Sequence, residues 1–374
     1  MSAPVISRTV LLRNVAETLG FAAAGGLTFG LAGMPAGWLS GSIISVAIAA
    51  LAGRPMYMPV RLMQILMVTI GISLGAVVTP ETLNGMAAYP LSIAVLLVAM
   101  SIVSVVGAAY LRVVHGWDGV TAYLAAAPGG LSQVIAVGAE LDADLRAIAI
   151  VQTIRVVIVA VGLPAALMLF GLAGHARGSV GGPFEFAQFD ELAVLIAAST
   201  LMAIVAYRLR FPGGLLFGAM LTSAVLHGTG HIHILMPWWI ATTAMVCFGG
   251  VIGARFANTP VRLLLDFLGA AFGSFAVTVI IAAMFAAGLI AVLKLPVAEV
   301  MIAFAPGSVD AMMLLALALH LDPVYVGAHH LTRIFFVSFS MPLVARRKAR
   351  ARPKPDNAEV LKRQRQRFRW PFQD

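Results

Sequence analysis

Apolar residues along this chain fall into long blocks, and the short polar stretches between the blocks carry most of the charge. Six blocks lie at 15–32, 37–53, 60–78, 86–111, 118–140 and 145–171, and six more at 190–207, 212–228, 237–255, 264–292, 296–319 and 324–345. A helix needs about 20 apolar residues to cross a hydrocarbon core roughly 30 Å thick. The pattern therefore predicts an all-α polytopic membrane protein. The stretch 173–189 is Gly-rich and polar and reads as a linker. It divides the chain into a first membrane unit, 1–172, and a second, 190–345, followed by a tail, 346–374.

The two units match each other at an offset of 178 residues. Ala127-Pro128-Gly129 falls on Ala305-Pro306-Gly307, Asp144 on Asp322, Arg155 on Arg333 and Pro164 on Pro342. Upstream, Pro59 meets Pro237, Gly71 meets Gly249 and Gly75 meets Gly253. Shared hydrophobicity alone does not place Pro, Gly and Arg in register, so two homologous repeats are expected. Internal repeats are a recurring plan among secondary transporters.

"APGG" at 127–130 and "APGS" at 305–308 interrupt the fifth block of each repeat near its middle. Proline removes an amide donor and glycine opens dihedrals that a helix forbids, so the chain can turn there. Backbone groups freed by such a break must be covered by protein or line a polar cavity. Two geometries follow: a hairpin that enters and leaves on one side, or a broken helix that still crosses. With hairpins, each repeat crosses five times and the second is inverted. Arg8, Arg13, Arg54, Arg61, Arg112, Arg208, Arg210, Arg255, Arg262 and the tail then share the cytoplasmic side, leaving Lys294 and Arg177 outside. If all six segments crossed, Arg208, Arg210, Arg255 and Arg262 would lie outside, against the tendency of short basic loops to stay inside.

Composition agrees with the pattern. The 374 residues are 60% hydrophobic and 11% charged, with a mean hydropathy of +0.96, whereas soluble domains carry roughly 25% charged residues. The net charge of +9 is concentrated at one end: from Arg346 onward there are 11 Lys/Arg against 3 Asp/Glu. Placed after the last apolar block, this tail is expected to meet anionic lipid headgroups, with Phe368, Trp370 and Phe372 at the interface, and not nucleic acid. A single cysteine, Cys247, rules out a disulfide framework. The opening "MSAPVISRTVLLRN" has no apolar core before a small-residue cleavage site, so no removable leader is expected.

The stretches "GWLSGSIISVAIAAL", "QILMVTIGISLGAVVTPETL", "APGGLSQVIAVGAELDADLRAIAIVQTIR" and "APGSVDAMMLLALALHLDPVYVGAHHLTR" resemble the bacterial AbrB membrane-protein family, up to about residue 345. Proteins of that family are labelled both as regulators of gene expression and as ammonia monooxygenases. The family is also similar to the cation/proton antiporter and anion transporter superfamily, whose members use inverted repeats and interrupted helices. The resemblance thus implies a bacterial inner-membrane transporter with cytoplasmic termini, and allows the crossing broken helix as well as the hairpin.

The candidate site gathers at the breaks. Pro128, Gly129 and Gly130 are followed by Ser132 and Gln133; Pro306, Gly307 and Ser308 are followed by Asp310. Half-helix N-termini offer free amides to an anion, and half-helix C-termini offer carbonyls to a cation. Asp310 is an ionisable group at membrane depth, functional or paired for structural reasons. Arg155 with Gln152, and Arg333 with His330, each share a helical face at a spacing of three. The arginines would clamp a carboxylate or neutralise Asp310, or would satisfy carbonyls opened by the break. Of the adjacent pair His329 and His330, only one can face the site. His227, His231 and His233 form the nearest approach to a metal motif, without a matching carboxylate or thiolate. These residues point to a transporter of a small anionic or zwitterionic solute, coupled to protons or sodium, with no cofactor. A membrane regulator and a metal-dependent monooxygenase are the alternatives.

Overall fold

The computed structural model describes residues 8–78, 89–172, 182 and 189–350. The helices before the first break are α1 (Arg8–Leu31), α2 (Gly37–Leu51), α3 (Val60–Gly75) and α4 (Tyr89–His115). The break separates two half-helices, α5 (Gly119–Ala126) and α6 (Leu131–Glu140), and α7 (Leu145–Leu169) follows. Beyond the linker come α8 (Phe189–Arg208), α9 (Gly214–Gly228), α10 (Trp238–Gly253), the 3-10 turn Ala254–Phe256 and α11 (Val261–Leu293). The second pair of half-helices is α12 (Val297–Phe304) and α13 (Val309–Ala318), and α14 (Pro323–Arg350) ends the described chain.

The pattern predicts ten crossing helices. Among the described residues, five are both long and apolar enough to cross a membrane: α4, α7, α8, α10 with its 3-10 turn, and α11. Helices α2, α3 and α9 are apolar but shorter, at 15, 16 and 15 residues, or roughly 23 Å at 1.5 Å per residue. Arg8, Arg13, Asn14 and Glu17 lower the hydropathy of α1. Helix α14 carries His329, His330 and Arg333 and runs through Arg350, past the expected boundary at 345 and into the basic segment.

Helices from both halves of the chain mix in two groups. In one, α1 packs on α2 and α10, α2 on α10, and α3 on α9, with α8 against both α3 and α9. The crossings are built on small residues, which let backbones approach closely. A Cβ on Gly249 would come within 2.6 Å of Ser42 Cβ and 2.8 Å of the Leu39 carbonyl oxygen, and Gly71 lies as tightly against Leu216. Ser42 Oγ donates to the Ala22 carbonyl at 2.8 Å and Ser223 Oγ to that of Ile72 at 2.8 Å, tying α1 to α2 and α3 to α9. Of the expected linker, Gly182 is described; its amide donates to the Met236 carbonyl at 3.1 Å.

The second group holds α4–α7 and α11–α14. Helices α4 and α11 run antiparallel at its centre: Trp117, just past the end of α4, meets Phe267 near the start of α11 with ring centroids 5.8 Å apart. The groups touch where α3 meets α13 and where α2 meets α7.

Candidate functional site

Each pair of half-helices closes into a hairpin. After α6 the chain returns to the root of α5, where the Asp144 amide donates to Thr121 Oγ1 at 3.0 Å. After α13 it returns to α12, where the Asp322 amide donates to Glu299 Oε1 at 3.4 Å. A helix that crossed through its break would separate these ends by the full depth of the bundle. Of the two geometries open to the sequence, the protein adopts the hairpin.

The half-helices begin and end at the same offset of 178: 119–126 and 131–140 against 297–304 and 309–318. Ala127 and Ala305 leave their helices with φ −58 and ψ 129 and 136. Asp144 Oδ1 caps α7 by accepting from the amides of Arg146 and Ala147, both at 3.0 Å. Asp322 Oδ1 caps α14 in the same way, from Val324 at 2.7 Å and Tyr325 at 3.2 Å.

The breaks disrupt the helix-end hydrogen bonding: the Ala127 and Ala305 carbonyls accept from the amides two residues on, Gly129 at 3.0 Å and Gly307 at 2.9 Å, and the two arginines meet these and the neighbouring carbonyls. Arg155 donates from Nη1 to the Ala126 oxygen at 3.1 Å and from Nη2 to that of Ala127 at 3.2 Å. Arg333 donates from Nη1 to the Ala305 oxygen at 2.6 Å and from Nη2 to that of Gly307 at 3.1 Å. Gln152 Nε2 donates to the Leu124 carbonyl at 2.9 Å, and His330 Nε2 does the same for Ile302 at 3.2 Å. His330 Nδ1 accepts from Arg333 Nη1 at 3.1 Å. A guanidinium has no acceptor, so this imidazole is neutral with its proton on Nε2. Of the roles open to the arginines, satisfying the broken backbone is thus met directly.

The hairpins enter from opposite ends of the α4/α11 pair. The first is rooted beside the C-terminal end of α4. The second is rooted beside its N-terminal end, where Tyr89 Oη donates to Asp322 Oδ2 at 3.1 Å. Their tips meet midway: Pro128 and Pro306 line one cavity of about 20 Å³ together with Leu96, Met100 and Val103 of α4, Thr278 of α11, Phe304 and Arg333. Gly129 is held against α14, where a Cβ would fall 2.6 Å from Val337 Cγ1.

Asp310 is half-buried at the start of α13. The cation whose charge reaches it is Arg255, from the 3-10 turn after α10 in the other helix group. Among the described residues Asp310 forms no ion pair within 4.0 Å with Arg155, Arg333 or Arg255. Ser308 Oγ accepts from the Ala311 amide at 3.4 Å and caps α13, whereas α6 starts from Gly130 with no side-chain cap. Ser132 and Gln133 lie in the first turn of α6; their side chains are outside the described residues. His227, His231 and His233 are not gathered: His227 bonds the carbonyls of Ser223 and Ile234, His231 bonds Thr229, and the His233 amide donates to Glu191. Among the described residues, no group of three or more His, Cys, Asp or Glu is placed to hold a metal.

The sequence reading missed a polar chain at the second root. Tyr325 Oη and Ser92 Oγ lie 2.6 Å apart, and Ser92 Oγ lies 2.7 Å from His329 Nε2. His329 Nδ1 is 2.8 Å from the Tyr325 carbonyl and must donate there. Ser92 therefore donates to Nε2 and receives from Tyr325. A cavity of about 290 Å³ opens beside this root, lined by Glu299, His320 and Asp322 from the hairpin, by Ser73 of α3 and by Val77 just beyond it. Burial raises the Asp322 carboxyl above its ordinary value, against the Tyr325 and Val324 amides and the Tyr89 hydroxyl that lower it. At the first root the corresponding positions are Thr121, Ala147, Val151, Phe267 and Ala270. A hairpin of this shape folds without the titratable chain.

Fold and site together define an all-helical chain of membrane-spanning type, with two half-helix hairpins meeting tip to tip. It belongs to the AbrB family: residues 38–348 match the family described as "Transition state regulatory protein AbrB". It is similar to "Uncharacterized protein YhjN" of Bacillus subtilis (strain 168), 25% identical over 354 residues, covering 87% of this chain and 90% of that one. It is also similar to "Putative regulator AbrB" of Escherichia coli (strain K12), 26% identical over 319 residues, covering 84% and 90%.

Proposed function

We propose that this protein is a secondary transporter of the bacterial inner membrane. It moves a small anionic or zwitterionic solute in exchange for, or together with, a proton or sodium ion. In this reading the chain is two inverted repeats, 1–172 and 190–345, each with five spanning helices and one re-entrant hairpin, and both termini are cytoplasmic. The solute binds where the hairpin tips meet, among Pro128, Gly129, Gly130, Ser132, Gln133, Gln152, Arg155, Pro306, Gly307, Ser308, Asp310, His330 and Arg333. The basic tail holds anionic lipid.

The observation that carries the reading is the meeting of two half-helix breaks, rooted at opposite ends of α4 and α11, with a buried guanidinium at each. Non-helical backbone at membrane depth marks binding sites in transporters, and alternating access moves one bundle against another about them. The division into two helix groups, with Asp310 on one side of it and Arg255 on the other, supplies such a seam. The titratable chain at the second root supports coupling to a proton.

The name of the Escherichia coli relative favours a regulator instead. A transported metabolite would give a regulatory phenotype without DNA contact. The two readings separate on solute flux in proteoliposomes, wild type beside Asp310→Asn. Flux driven by an ion gradient and lost in the variant supports transport. Absence of flux for every metabolite tested, with a correctly folded protein, removes it.

A further inference from the structure

The cavity between the hairpin tips is lined by the Arg333 guanidinium, and a second buried guanidinium, Arg155, stands at the first tip behind that lining. Arg155 is 5% exposed and Arg333 3%, and Arg333 lies within the field of Arg155. Neither forms an ion pair with a carboxylate among the described residues. The carboxylate on the tips, Asp310, answers to Arg255. The carbonyls on Arg155 and Arg333 are dipoles and cancel no net charge. In addition, Arg155 Nε–H is buried with no acceptor among the described residues. Buried cations left unpaired are among the costlier arrangements a protein can hold.

We propose that the tip cavity is a binding site for a singly charged anion. Its lining gives the class. Leu96, Met100, Val103 and Phe304 are apolar, Thr278 donates its hydroxyl proton to the Ser274 carbonyl at 2.8 Å, and Arg333 is the one charged group. An ammonium group would find no carboxylate there, so a zwitterion is disfavoured. A single anionic head beside apolar walls is favoured. About 20 Å³ admits one water-sized particle, so with the tips together the site accepts a halide. The carboxylate end of a small organic acid enters as the tips part. This deepens the transporter reading by choosing anion over zwitterion, but binding is measured without flux.

The test is thermal unfolding of the full-length protein in detergent, at constant ionic strength, with gluconate as the bulky reference anion. Chloride, acetate, propionate and glycine are titrated separately. Stabilisation by chloride, or by acetate and propionate, with glycine silent supports the site; the first identifies an inorganic ligand and the second a monocarboxylate. Equal stabilisation by glycine, or none by any monoanion, overturns it. Arg333→Gln disturbs the break itself, so the second variant is Ala282→Val, which fills the cavity wall and leaves every arginine bond in place. At least a tenfold loss of apparent affinity is expected in Ala282→Val, and unchanged affinity overturns the assignment. Anion binding without flux would keep this site and remove the transporter; flux of a zwitterion without anion binding would do the reverse.

Discussion

Arg155 and Arg333 stand at facing hairpin tips, each donating two hydrogen bonds to carbonyls of its own break. The residues three positions before them, Gln152 and His330, each donate to a carbonyl three residues nearer the root than Ala127 and Ala305. The fork geometry of guanidinium suits this task, because one planar group reaches two carbonyls that no longer point along one helix axis. Lipid offers no substitute donor.

Substitution at Arg155 is therefore expected to be graded. Arg155→Met removes the donor to the buried Ala126 carbonyl, at about 1–3 kcal/mol, and one of two donors to that of Ala127, which keeps the Gly129 amide. Arg155→Lys keeps the charge and reaches fewer carbonyls, so its loss is smaller. Apparent unfolding temperature should fall in the order wild type, Lys, Met. Three equal values would mean that the breaks are satisfied by something else.

Helix crossings in the other group depend on missing side chains. Gly249→Leu would force α10 away from Ser42 and Leu39 of α2, and overpacking of this kind costs about 1–3 kcal/mol or more. At Gly288 in α11 a methyl group would meet no neighbour within 4 Å, so Gly288→Ala is expected to be neutral or slightly stabilising. Monodispersity after purification compares the two; similar behaviour would argue against close backbone approach at Gly249.

Asp322 gives a pH signature. Its carboxyl is raised in the folded protein, so the native state binds its proton more tightly than the unfolded chain does. That contribution is complete below the ordinary carboxylate range and is lost as pH rises through the raised value. Asp322→Asn keeps an oxygen to cap α14 and removes the titration. As pH rises from the ordinary carboxylate range, about pH 4, through the raised value, wild type should lose apparent stability relative to the variant. Parallel profiles would contradict this.

Much of the site was readable because its residues are chemically conspicuous in an apolar chain. Pro128 and Pro306 mark the turns, Arg155 and Arg333 announce buried polar work, and the offset of 178 pairs them from sequence alone. The partners were not readable. Ser92 meets His329 across 237 residues and Tyr89 meets Asp322 across 233, and nothing local in α4 marks a serine or a tyrosine as part of that chain. Asp310 was matched to Arg155 and Arg333, while the cation whose charge acts on it is Arg255 of the other helix group. Hairpin and crossing helix also differ only in where α6 and α13 end, and one hydrogen bond at each root, Asp144 to Thr121 and Asp322 to Glu299, distinguishes them.

Opposed entry of the two hairpins is the claim on which the site rests. Asp142 and His320 are exposed at the two roots, with φ 51 and 54. With Cys247 replaced by alanine, Asp142→Cys and His320→Cys should react with a membrane-impermeant maleimide from opposite sides of sealed vesicles. Asp142→Cys is expected to label from the cytoplasmic face and His320→Cys from the external one. Labelling of both from the same side would contradict the account.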